Sequence, residues 1–126
     1  MKKSFLLSLL LLLTGCSAEI DDLRVSDEQV EHMAEVYDQA NVQLDTDPAK
    51  AIQRAKQMLE SAENIHYRTG IGDAHYLLGI GYDLQGKYDS AAYHHLSALQ
   101  ERRELNDEKK IGKSYANLGI VYWELG

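Results

Sequence analysis

The chain holds one cysteine and five histidines, the side chains with the most distinctive chemistry. Cys16 ends the stretch Leu13-Thr14-Gly15-Cys16, directly after an apolar run. One cysteine forms no internal disulfide, so the body must fold without covalent staples. His94 and His95 are adjacent, and on a helix they point about 100° apart, which does not suit a shared metal. His32, His66 and His75 lack HExxH-like spacing, so no metal site is expected. There is no GxSxG nucleophile turn and no phosphate-cradling loop; Gly70-Ile71-Gly72 reads as a turn between helices. The expectation is a protein that is not an enzyme and needs no cofactor.

The flanks of Cys16 carry more information than the thiol itself. Met1-Lys2-Lys3 is a short positive start, and Ser4 to Leu13 is almost wholly apolar. That run is about half of the ~20 residues a membrane-crossing helix needs. A charged start, a short apolar core and then small residues form the pattern of an export signal. The stretch Leu13-Thr14-Gly15-Cys16 resembles the lipobox of bacterial lipoproteins: an aliphatic residue, a small residue, Gly or Ala, then Cys. The resemblance covers about the first sixteen residues. It implies that residues 1–15 are removed and that the Cys16 sulfur carries a diacylglyceryl group, with further acylation at the new N-terminus. The protein would then be held in the cell envelope by lipid, since two or more chains anchor firmly. Ser17 after the cysteine implies the outer membrane rather than the inner. The competing reading of Cys16 is a free thiol near an ordinary cleavage site.

Removing residues 1–15 takes away Lys2 and Lys3 and no acid, so a net charge of −7 becomes −9, from 20 acids and 11 bases. An acidic body is a poor partner for nucleic acid or anionic lipid. Residues 16–25 read as the lipidated cysteine and a polar tether, or as a continuation of the first helix. Residues 26–126 read as one domain, because the chain has one proline and no Ser/Gly-rich linker.

Self-similarity organises that domain. Ile71, Gly72, Leu78, Gly79, Ile80, Tyr82 and Gly86 recur as Ile111, Gly112, Leu118, Gly119, Ile120, Tyr122 and Gly126. Apolar residues spaced three and four apart around Leu78 and Leu118 mark one face of a helix. A glycine within a helix costs about 1 kcal/mol relative to alanine. Gly79 and Gly119, in the same place of each unit, therefore predict close helix–helix approach, with Tyr82 and Tyr122 beside it. The signature Leu78, Gly79, Tyr82, Gly86, Tyr88, Ala91 and Ala98, repeated in part by Leu118, Gly119 and Tyr122, resembles the tetratricopeptide repeat in an elongated form of about 40 residues. Gln39 and Val42 replace the glycine and tyrosine in the first unit. The resemblance implies an all-α fold: a right-handed solenoid of helical hairpins with about five helices. His95 takes the place of a family aromatic and so implies a ring in the core.

The helices are expected at 27–44, 48–68, 71–85, 88–104 and 107–125, in units 27–68, 71–106 and an incomplete 107–126. Ser26 and Gln29 fit a capping box, and Asp47-Pro48 an N-cap before a first-turn proline. Thr69-Gly70 and Gln85-Gly86 read as helix ends. The segment Glu101 to Lys110 mixes both charge signs and reads as a solvated helix end and loop. The last unit is half a repeat carrying Ile120, Tyr122 and Trp123: either its helix caps the stack and leaves some apolar surface, or the chain is truncated or its end is completed by another chain, in which case self-association is expected. The resemblance places one helix of each pair on an inner concave wall. There Tyr76, Ile80, Asp83, Lys113, Asn117, Ile120 and Trp123 would line a partly apolar groove for a protein or peptide. The competing reading is that Ile80, Ile120 and Trp123 pack between helices. Two functions follow: a lipid-anchored interaction scaffold in the envelope, or the sensory front of a longer signalling protein.

Overall fold

The structure, a computed structural model, describes residues 24–126. Cys16 and the apolar run before it lie outside the described residues. Five helices follow one another: α1 (Asp27–Thr46), α2 (Pro48–Asn64), α3 (Arg68–Leu84), α4 (Tyr88–Glu104) and α5 (Glu108–Leu125). No strand occurs among the described residues. Each helix packs on the next, and α1 also meets α3 as α3 meets α5. The odd-numbered helices thus form one continuous wall of a helical-hairpin solenoid.

Local chemistry sets the boundaries. Ser26 Oγ accepts from the Gln29 amide at 3.2 Å, and the Gln29 side chain accepts from the Ser26 amide at 2.9 Å. This reciprocal box satisfies two donors that no helical carbonyl reaches. Asp47 closes α1 and caps α2, whose first residue is Pro48. The next three junctions share one device. His66, Gly86 and Asn106 adopt positive φ of 55°, 71° and 54°. After each, the next amide reaches back five residues: Tyr67 to Ala62, Lys87 to Tyr82 and Asp107 to Arg102. These are Schellman closures, set twenty residues apart.

That stride corrects two boundaries. The second helix ends at Asn64 rather than 68, and the third begins at Arg68 rather than 71. Gly70 is therefore not a helix end but lies inside α3, where a Cβ would come 2.6 Å from Tyr67 Cδ1. The left-handed residue is His66, a type that disfavours this conformation less than most. The first helix also runs two residues further, to Thr46.

The main core joins α1, α2 and α3 through Met33, Leu44, Ile52, Met58, Leu77 and Leu78. A smaller cluster joins α4 to α5 through Ala91, Ala92 and Val121. Leu118 is buried as well, and Ala98 lies fully inside. Gly79 behaves as its repetition predicts, for a Cβ there would lie 2.5 Å from the His95 ring. Gly119 does not: nothing lies within 4 Å of its missing Cβ. Tyr82 is half-buried and stacks on His94, whereas Tyr122 is 50% exposed.

Candidate functional site

The seven expected groove residues do not form one surface. Tyr76 is half-buried, edge-on to His95 at 6.0 Å between ring centres, with the Arg102 guanidinium 4.3 Å over its face. Ile80 packs against the main core. These two serve packing, as the competing reading of Ile80 expects. Asp83 is half-buried, and its carboxyl is raised by burial and then by the nearby Glu124. Asn117 is partly covered, and Lys113 is open. Ile120 is 55% and Trp123 84% exposed, so neither packs between helices. The open members of the set are therefore on α5.

A better-formed concavity lies at the other end of that wall. A cleft of about 260 Å³ is lined by Val30, Met33 and Tyr37 of α1, Met58 of α2, Asp73 of α3 and Lys110 of α5. The positions 30, 70 and 110 stand side by side because the odd helices repeat at a stride of forty. Burial, then the Asp73 carboxylate, pushes the Tyr37 hydroxyl up to about 12, so it remains a proton donor at neutral pH. Asp73 is held by two cations. Lys110 Nζ donates to its two oxygens at 3.0 and 2.9 Å, and Arg102 Nη2 approaches Oδ1 at 3.4 Å. Apolar walls with a phenolic donor and an ammonium suit an apolar side chain beside a carbonyl or carboxylate.

Arg102 is the residue that the sequence reading placed in solvent and the structure places in the core, at 2% exposure. Its Nη1 donates to Ser114 Oγ at 2.8 Å and to the Lys110 carbonyl at 3.1 Å. One side chain from the last turn of α4 thereby ties α3 to the start of α5. The signal was faint: Ser114 is the only hydroxyl among apolar positions of the α5 inner face. Arg103, by contrast, is exposed and bonded to the Tyr115 hydroxyl, as a solvated helix end should be.

The histidines divide as their spacing demands. His95, 1% exposed, sits under Gly79. Burial, then Arg102 and His94, lowers it to about 4. His94 turns to the other side and meets His75, Nδ1 to Nδ1 at 2.9 Å. Burial, then His75 and Lys56, lowers His94 to about 4. Burial lowers His75 too, against the pull of Glu63 and Glu101. One imidazole donates and the other accepts, so the pair holds while at least one ring is neutral. The sequence reading missed this pair, because its members are nineteen residues apart on different helices. No group of three or more metal-ligating side chains occurs among the described residues.

Comparison with family models, curated proteins and solved structures finds no match to this chain. Functional inference therefore rests on the residues themselves.

Proposed function

We propose that the protein is a lipid-anchored interaction module of the bacterial cell envelope, a scaffold of the tetratricopeptide type that binds a protein or peptide on its odd-helix wall. Leu13-Thr14-Gly15-Cys16 supports the anchor, with the Cys16 sulfur as the point of lipid attachment and the outer membrane as its site. No described helix is long and apolar enough to cross a membrane. The observation that carries the binding half is the exposure of Ile120 and Trp123 on a wall that also holds the Tyr37–Lys110 cleft. Large apolar groups side by side on a surface mark interaction sites more often than solvent-facing decoration.

Two measurements test the two halves. Labelled palmitate enters the wild-type chain in cells and fails to enter Cys16→Ala; equal labelling removes the anchor. A photocrosslinking amino acid in place of Ile120 captures a discrete envelope protein, and the same group in place of the exposed Gln100 on α4 does not. Identical crosslinking patterns at the two positions remove the binding wall.

A further inference from the structure

The cleft of the odd-helix wall is lined from four helices, and every lining residue lies between Val30 and Lys110, apart from the uncovered face of α5. Its size selects the group it takes. A dry cavity of about 150 Å³ holds a benzene, so the cleft, at about 260 Å³, holds one large apolar side chain. A helix, about 10–12 Å across with its side chains, does not fit. The apolar lining is Val30, Met33, Met58 and the Tyr67 ring. Two methionines among the four give walls that adapt to an irregular guest.

The charges decide what stands beside that side chain. Lys110 is the one cation of the lining, and Asp73 takes it with both carboxylate oxygens, so a ligand carboxylate meets no free cation there. Asp38, at the exposed rim, forms no ion pair among the described residues. The stretch Asp27 to Asp47 around it holds seven carboxylates and no lysine or arginine. Glu28, Glu31, Glu35 and Asp38 follow at three- and four-residue spacing, where like charges repel each other along a helix. We infer that the cleft takes one large apolar side chain of an extended, basic peptide segment from another protein, with lysine or arginine beside that side chain set against Asp38 and the other carboxylates of α1. The Tyr37 hydroxyl, which makes no hydrogen bond among the described residues, is the donor for a backbone carbonyl of the segment. The inference rests on the interaction role proposed for the odd-helix wall and names the chemistry of the partner. The two other occupants carry the wrong charge. Residues 17–23 of this chain hold Glu19, Asp21 and Asp22 and no base, and a second copy has a net charge of −7, so α1 repels both.

The probes are four labelled peptides of equal length: a phenylalanine flanked by lysines, the same with serine for the phenylalanine, the same with glutamates for the lysines, and residues 17–23 of this chain. In anisotropy titrations against the full chain at low salt, the lysine–phenylalanine peptide should bind at least about ten-fold tighter than each of the others, from one buried apolar side chain and from charge. In about 1 M salt the glutamate peptide should close its gap, and the serine peptide should not. Ala34→Phe fills the mouth of the cleft from an exposed helix position and should abolish the preference for phenylalanine with helicity retained. Asp38→Lys, also at an exposed position, should cut the preference for lysine over glutamate about three-fold. Equal binding of the phenylalanine and serine peptides overturns the inference, as does discrimination that Ala34→Phe leaves intact. Tightest binding by the 17–23 peptide makes the chain's own segment the occupant, and a concentration-dependent dimer lost in Ala34→Phe makes it a second copy; either result overturns the inference. Crosslinking at Ile120 reads the other part of the wall. Capture there without peptide discrimination removes the basic anchor and keeps the binding wall, whereas discrimination without capture keeps the cleft and removes the Ile120 side.

Discussion

Gly79 and Gly119 occupy the same place in two copies of one pattern, so replacing each with alanine isolates tertiary packing from local propensity. Alanine gains about 1 kcal/mol over glycine within a helix at either position. At Gly119 the new methyl meets nothing within 4 Å, so the gain stands alone. At Gly79 the methyl would lie 2.5 Å from both Cε1 and Nδ1 of His95. That ring is buried and set edge-on to Tyr76. Reaching ordinary contact at about 3.5–4.0 Å requires α3 and α4 to separate by about 1 Å. Overpacking of this kind costs about 1–3 kcal/mol. Less the propensity gain, Gly79→Ala destabilises by up to about 2 kcal/mol while Gly119→Ala stabilises by about 1. For a domain of about 100 residues each kcal/mol moves the midpoint by about 4–8 °C. The Gly79→Ala variant should therefore melt below the Gly119→Ala variant, by up to about 20 °C, with wild type between them, by far-ultraviolet ellipticity. A Gly79→Ala midpoint at or above wild type refutes the reasoning, and so does a Gly119→Ala midpoint clearly below it.

Arg102→Met should cost about 2–3 kcal/mol in urea unfolding, because it strips partners from Ser114 and the Lys110 carbonyl; a loss under about 1 kcal/mol would show that Arg102 does not hold α5 in place. His94 and His95 both titrate near 4 in the fold and at about 6.5 when unfolded. Between those values the unfolded chain binds more protons, so stability falls as pH drops from about 6.5 and levels off near 4. The facing groups are Lys56, Arg102, Glu63 and Glu101, together with His75. His94→Gln and His95→Gln should flatten the fall, and a slope unchanged by both would refute the assignment. His66→Gly and Asn106→Gly should each stabilise by about 0.5–1 kcal/mol at their positive φ, and Gly86→Ala should destabilise by about 1 kcal/mol; thermal melts in which all three move the same way would contradict the shared closure.

Much of the fold was legible because its signals are short-ranged. The Ser26 box, the Asp47-Pro48 start and the Gly86 stop each depend on residues within one turn. The second junction was misread for the same reason. Gly70 is the obvious local stop, yet the chain turns at His66, four residues earlier, because the twenty-residue stride of the stack decides. The residues expected to line one groove differ in exposure. Ile120 and Trp123 are open, whereas Tyr76 and Ile80 are held by Arg102 and by the core. The cleft at Tyr37 and the His75–His94 pair went unseen, since each joins residues on separate helices whose contact no local pattern encodes.

By itself the sequence determined the helices, their caps and the forty-residue period, because hydrogen bonding along a helix and the spacing of its apolar face involve only near neighbours. It also fixed the identical glycines at 79 and 119. Only the tertiary structure decided that these two are physically unlike. One has the ring of His95 pressed against it and the other faces open space, and the burial of a side chain is set by the helix packed across from it, not by the residues beside it in the chain.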